Sequence, residues 1–346
     1  MTDGAGARVA GAGVAGPGLL VGFGSIGRRH LTNLRRLGVD DWAVVHTGSG
    51  TLPFEPGFTV RTYAALDDAL AHERPAFAVV ANPTAFHVST ALACVERGCA
   101  VLVEKPVSHE LHGVEELTAA VARSGTHVLV GFQFRHDPGL ARVATLLGDG
   151  SIGEPLHARA VWGEHLPDWH PWEDWHVGYA ARRDLGGGVH HTISHPLDYL
   201  RMLFGEPVDV RATLSDAHPL GLDVAEAVDA SFHFADGVTA EMHLDYWARP
   251  RTHRLEVIGS EGTISWDYVA GELRVWRAAD DPCAIETIPG VDARDELFVR
   301  QSRHFLEVVA GSAEPACTLD DGVAALRLAA AIETSSQHRG QRVPVA

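Results

Sequence analysis

Cysteine is scarce in this 346-residue chain, and the four present, Cys94, Cys99, Cys283 and Cys317, make no CxxC pair. Reduced thiols in a cytoplasmic protein are the expectation. No apolar run approaches the ~20 residues that a membrane-spanning helix needs, so no membrane partner is expected. Basic residues are outnumbered, 28 against 45 acidic, giving a net charge of −17. That deficit argues against nucleic acid as a partner. The excess acid serves solubility and would also draw a cationic substrate from a distance. Residues 1–17 lack the lysine-led apolar core of a signal peptide. Their Gly/Ala-rich composition reads as a disordered leader.

What is present divides into two patterns. From Leu19 to Val130, short apolar runs alternate with helical ones. Strands are expected at Leu19–Phe23, Trp42–His46, Phe77–Ala81, Ala100–Val103 and His127–Val130. Helices are expected at Ile26–Leu37, Ala65–His72, Thr84–Arg97 and Leu111–Arg123. Continuous apolar strands separated by helices imply a parallel sheet covered on both faces. Beyond Gly131 the strands alternate apolar and polar, as in Val228–Phe234 and Val238–Leu244, with the hairpin signal Asp236-Gly237 between them. The fold class is therefore α/β: a doubly wound parallel-sheet domain over 18–130, then an α/β domain over 131–346 with an open, mostly antiparallel sheet. One half-wet sheet face makes a homodimer or homotetramer the expected assembly.

GxGxxG occurs twice. Gly11, Gly13 and Gly16 lie in the leader with no strand before them. Gly22, Gly24 and Gly27 follow a strand and open a helix, the context in which such glycines let a backbone approach a pyrophosphate at a helix N-terminus. Ser25, Ile26 and Arg28 complete that turn. After the second strand, Val44–Ser49 offers Thr47 but no Asp or Glu for a ribose and no Arg for a 2′-phosphate. The cofactor expected is NAD or NADP, with the choice open.

Lys105 stands in Glu104-Lys105-Pro106 at the end of an apolar strand, an unusual place for charge. Downstream, Gly186-Gly-Gly188 leads into a helical run, Val189–Phe204, carrying His191 and His195 one turn apart. Two such histidines could share a metal, but Thr192 follows His191 where metalloprotease spacing needs Glu, and no cysteine is near. No metal is assigned. Lys105 and His195 together suggest a site where hydride moves while they manage the proton. Between the halves, Trp162–Trp175 packs four tryptophans among acids and histidines. Aromatic faces beside carboxylates suit a sugar or amino sugar. Glu164, Asp168, Trp172, Glu173 and Tyr179 are the candidate contacts, beside Arg135, His191, Thr192 and His195.

These residues give the chain its resemblance to the Gfo/Idh/MocA oxidoreductases. Its carriers are Gly22–Gly27 with Arg28, Arg29 and His30, then Asn82-Pro83-Thr84 with His87, Glu104-Lys105-Pro106, Gly131–Arg135, and Gly186–Gly188 through His195 to Asp198-Tyr199. The resemblance implies a Rossmann domain followed by an α/β domain. It implies that Asn82-Pro83 borders the nicotinamide ribose, that Glu104 approaches that ribose, and that Lys105 contacts the reacting oxygen. Many members carry Asp three residues before the histidine matching His195; here Thr192 stands there. The segment Leu166–Trp172, and Gly186–Val189 running into Asp198-Tyr199-Leu200, look most like the branch acting on amino sugars and aminoglycoside intermediates. A nucleotide-sugar or inositol dehydrogenase, and a non-catalytic nucleotide-sensing regulator, are the alternative readings.

Overall fold

A computed structural model describes residues 16–48, 50, 52–277 and 283–345. Most of the leader, including Gly11 and Gly13 of the first glycine motif, lies outside the described residues. Two compact units emerge: residues up to Val107 with 112–131 and 298–320, and residues 108–111, 132–297 and 321–346. The segment 298–320 thus returns to the first unit, although the sequence places it with the second.

The first unit is built from β1 (Gly18–Val21), α1 (Ser25–Arg36), β2 (Trp42–Val45), β3 (Arg61–Tyr63), α2 (Leu66–His72), β4 (Phe77–Val80), α3 (His87–Val95), β5 (Ala100–Val103), α4 (Val114–Ser124) and β6 (Val128–Val130). All strands run parallel in the order β3-β2-β1-β4-β5-β6. Every residue of β1, β2 and β4 is buried. Each fully buried Val or Leu contributes about 1.5–3 kcal/mol, which is why these runs show no polar alternation. β3 escapes sequence reading because its three residues, Arg61-Thr-Tyr63, are polar and largely exposed. The chain order reverses between β1 and β4, and in open parallel sheets the crevice at that reversal, beyond the strands' carboxyl ends, is where ligands bind.

The second unit contains α5 (Pro138–Gly148), β7 (Pro155–Gly163), α6 (Val189–Thr192), α7 (His195–Phe204), β8 (Pro207–Leu214), β9 (Ala227–Phe234), β10 (Thr239–Asp245), β11 (Thr252–Gly259), β12 (Thr263–Asp267), β13 (Glu272–Trp276) and β14 (Ala284–Thr287). The chain ends with α8 (Arg294–Val309), α9 (Leu319–Gln337) and β15 (Val343–Pro344). The sheet order is β14-β13-β12-β11-β7-β10-β9-β8-β15, antiparallel except for β10 beside β7. Burial alternates along β9, β10 and β11, so one face is wet.

One expectation fails here. The continuous helix Val189–Phe204 is two helices, broken at Ile193-Ser194. Pro196 has no N–H to donate into a preceding turn and therefore starts a helix rather than continuing one. His191 and His195 consequently share no helix face. The helix expected from Leu111 also begins later, at Val114, after Gly113 in the left-handed region.

Candidate active site

The glycine turn after β1 is shaped by close approach. Gly22 has φ +94°, and a Cβ there would lie 2.6 Å from the Ala81 carbonyl oxygen and the Asn82 nitrogen. A Cβ on Gly27 would lie 2.1 Å from the Gly22 carbonyl oxygen. Gly24 is different: a Cβ there would meet nothing within 4 Å. It caps α1, whose N-terminus has no side-chain cap and no acidic residue in its first turn. The first N–H groups and positive end of α1 are thus presented toward open space, a fit for a pyrophosphate. Gly22, Gly24, Ser25, Ile26 and Gly27 would hold it through the backbone. Arg28 lies with its guanidinium 4.7 Å from the Phe23 ring centre and donates to the Pro53 carbonyl. Thr47 stands just past β2.

Lys105 leaves the carboxyl end of β5 in the same unit. Beside it Glu104 is buried and accepts from the His30 ring Nε2 at 2.6 Å. Burial alone would raise the Glu104 carboxyl. The His30 hydrogen bond and charge, with Lys105 and His87, outweigh it and hold the group below its ordinary value. Glu104 also accepts from the Lys105 backbone N–H at 3.3 Å. Gly131 leaves room for it, since a Cβ there would press within 3.1 Å of its carboxylate. His87, fully buried, spans the Asn82 and Pro106 carbonyls at 2.8 Å each. Burial lowers its pKa, against the two carbonyl hydrogen bonds, which raise it. Asn82 donates to the Thr90 hydroxyl at 2.9 Å. His87 therefore ties Asn82-Pro83 to the turn that carries Lys105.

In the second unit His195 opens α7 and is only 2 % exposed. Its surroundings are rings. Trp162 lies nearly parallel at 5.5 Å, and Phe132 and Phe134 meet it edge-on at 5.5 and 4.9 Å. Trp162 stacks in turn on His253 at 3.7 Å, its cross-strand partner on β11. Burial pushes the His253 imidazole well below its ordinary value, so this layer carries no charge.

The other candidates fall in three places. Trp162 donates to Glu164 at 3.1 Å, Asp168 pairs with His165 at 3.1 Å, and Trp172 is 59 % exposed; Glu173 and Tyr179 follow in the same segment. Arg135 is engaged by Asp198 through three contacts of 2.6–3.1 Å and by Asp321 at 3.0 Å. That buried ion pair anchors the start of α7. His191 turns to Glu333, and Thr192 is buried at the end of α6.

Two features escaped sequence reasoning. His30 falls on the buried face of α1 with Gly27, Leu31 and Leu34. A histidine on an apolar stripe was the available signal that Glu104 has a partner. The second is plainer: Lys105 is the only lysine in the chain, the other 27 basic residues being arginines.

Residues 18–132 match the model of the oxidoreductase family with NAD-binding Rossmann fold, and residues 140–265 match the GFO/IDH/MocA C-terminal domain. The chain is 28% identical to D-apiose dehydrogenase of Paraburkholderia graminis over 92% of its length and 87% of that protein. It is 26% identical to inositol 2-dehydrogenase of Rhizobium meliloti, over 82% and 84%. Among solved structures, levoglucosan dehydrogenase in complex with NADH and levoglucosan superimposes with a TM-score of 0.82 at 21% identity, covering 95% of this chain and 99% of that one.

Proposed function

The chain belongs to the GFO/IDH/MocA family of NAD-binding oxidoreductases, and on that premise we propose that it oxidises a ring hydroxyl of an amino sugar, or reduces the matching ketone. The bound nicotinamide supplies the hydride acceptor or donor. The Lys105 ammonium, at the edge of the crevice where chain order reverses, stabilises negative charge on the reacting oxygen. His195 takes the hydroxyl proton in oxidation and returns it in reduction, a task suited to imidazole. Thr192 has no carboxylate to accept that proton, so the pair Lys105–His195 acts without an acid at that position.

The observation that carries this reading is the sole lysine of the chain standing beside a buried, ionised Glu104 at the carboxyl end of β5. The choice of an amino sugar rests on the segment 162–175. There Trp172 presents an exposed ring close in sequence to Asp168 and Glu173, a combination that favours a ring bearing an ammonium group.

A substrate panel tests it: aminoglycoside pseudosaccharides, nucleotide amino sugars, neutral sugars and inositol, each with NAD and with NADP, followed by nicotinamide absorbance. Turnover led by an amino sugar is expected. A preference for inositol overturns the amino-sugar choice. Tight cofactor binding without turnover of any member overturns the enzymatic assignment in favour of a regulator. Product formed without net absorbance change points to a cofactor recycled within one turnover.

A further inference from the structure

In the second unit, two adjacent imidazoles converge on one carboxylate oxygen. His190 Nε2 lies 2.7 Å and His191 Nε2 3.1 Å from Glu333 Oε1. One ligand atom from each of the three residues falls within 4.8 Å of the others. The histidines come from α6 and the glutamate from α9, so the cluster joins two elements of one unit.

The donor set is that of a divalent transition ion. Two imidazoles and one carboxylate, with a further position open to water, is a recognised zinc pattern. Burial and environment favour ligation over simple ion pairing. The side chains of His190 and His191 are 5 % and 6 % exposed, while that of Glu333 is 37 % exposed and gives a path from solvent. Without an ion, Glu333 accepts from each Nε2–H, while each Nδ1 is buried without a hydrogen-bond partner. An ion would take the place of those protons, with the ring proton on Nδ1 and both Nε2 lone pairs on the ion. Neutral imidazole and ionised carboxylate are the forms a metal takes up. His109 lies close enough to feel both His191 and Glu333.

We propose that His190, His191 and Glu333 bind one zinc-class divalent ion. The ion fastens α6, the short helix between the Gly186–Gly188 turn and His195, to α9. This site is distinct from the His191/His195 pairing weighed from spacing, which the break between α6 and α7 removes.

Isothermal titration of tag-free, chelator-dialysed full-length protein with zinc at neutral pH tests the proposal. One saturable equivalent per chain is expected. Glu333→Gln and His190→Phe should each weaken it at least ~10-fold, given that even lost partners of ligands cost that much. Zinc should raise the melting temperature of the parent protein and not of the variants. Absence of saturable binding, or unchanged affinity in folded variants, overturns it. Should either variant fail to fold, Co²⁺ added to the parent protein decides: strong visible ligand-field bands of a four-coordinate site support the proposal, and the weak spectrum of hydrated ion overturns it.

Discussion

Lys105 and His195 stand in opposite surroundings. Around Lys105 the fixed partners are charged or strongly polar: ionised Glu104, His30 pressed against it, and His87 clamped between two carbonyls. Around His195 they are the faces and edges of Trp162, Phe132 and Phe134, backed by a neutral His253. A cation at a strand end gains from a nearby fixed anion, which favours its charged form. A proton-transferring imidazole gains from the reverse, a shell that fixes its plane without fixing its charge. The chain thus provides an electrostatic mount for one group and a steric mount for the other.

The largest expected effects come from the mounted groups themselves. His195→Asn should lower kcat by about 10²–10⁴ and flatten the pH profile. Lys105→Met should lower it by about 10²–10³. Nucleotide affinity, read by tryptophan quenching, should survive both. Near-parental kcat in either variant would sink the division of labour.

Next come the mounts. His30→Ala strands the buried Glu104 charge and should cost about 3 kcal/mol in denaturant unfolding at neutral pH. The folded Glu104 pKa lies below its ordinary 4.5. The stability it contributes is therefore present above 4.5 and is lost as pH falls through the folded value. The penalty of His30→Ala should shrink in the same acid range. Trp162→Phe keeps an aromatic face, should cost only about 1–2 kcal/mol, and should show no such pH dependence. A pH-dependent Trp162 penalty would break the contrast.

The smallest effect tests the wet sheet face, where His243 is half-buried and Asp229 is exposed. His243 lies between Asp245 at 3.2 Å and Asp229 at 2.7 Å. The Asp245 hydrogen bond, against partial burial and with help from Asp229, raises it from 6.5 to about 9. Its contribution is present in full below pH 6.5 and is lost as pH rises toward 9. His243→Asn should flatten the stability profile slightly in that window. An unchanged profile would show the pair to be fully screened.

The first unit was nearly legible in the sequence because β1, β2, β4 and β5 are apolar throughout, and burial on two faces leaves no other pattern. The glycine turn was legible for a related reason, since Gly22 and Gly27 sit where any side chain would collide with backbone. The second unit was harder. β7 and β8 mix polar and apolar residues at the resolution of a sequence pattern, and the α6–α7 break depends on one proline inside an otherwise helical run. His195 was visible as a residue but its aromatic bed was not. Trp162 and His253 become neighbours only through the β7–β11 register. Arg135 shows the same gap: its sequence suggests a ligand contact, while its partners Asp198 and Asp321 are distant along the chain.

The solitary lysine has a consequence for handling and for control. Apart from the terminal amine, Lys105 bears the one primary amine in the molecule. Acylation, reductive alkylation or enzymatic conjugation of lysine has a single side-chain address here, and it is the group we propose to face the reacting oxygen. Modification and inactivation become the same event, countable as one mass increment per chain.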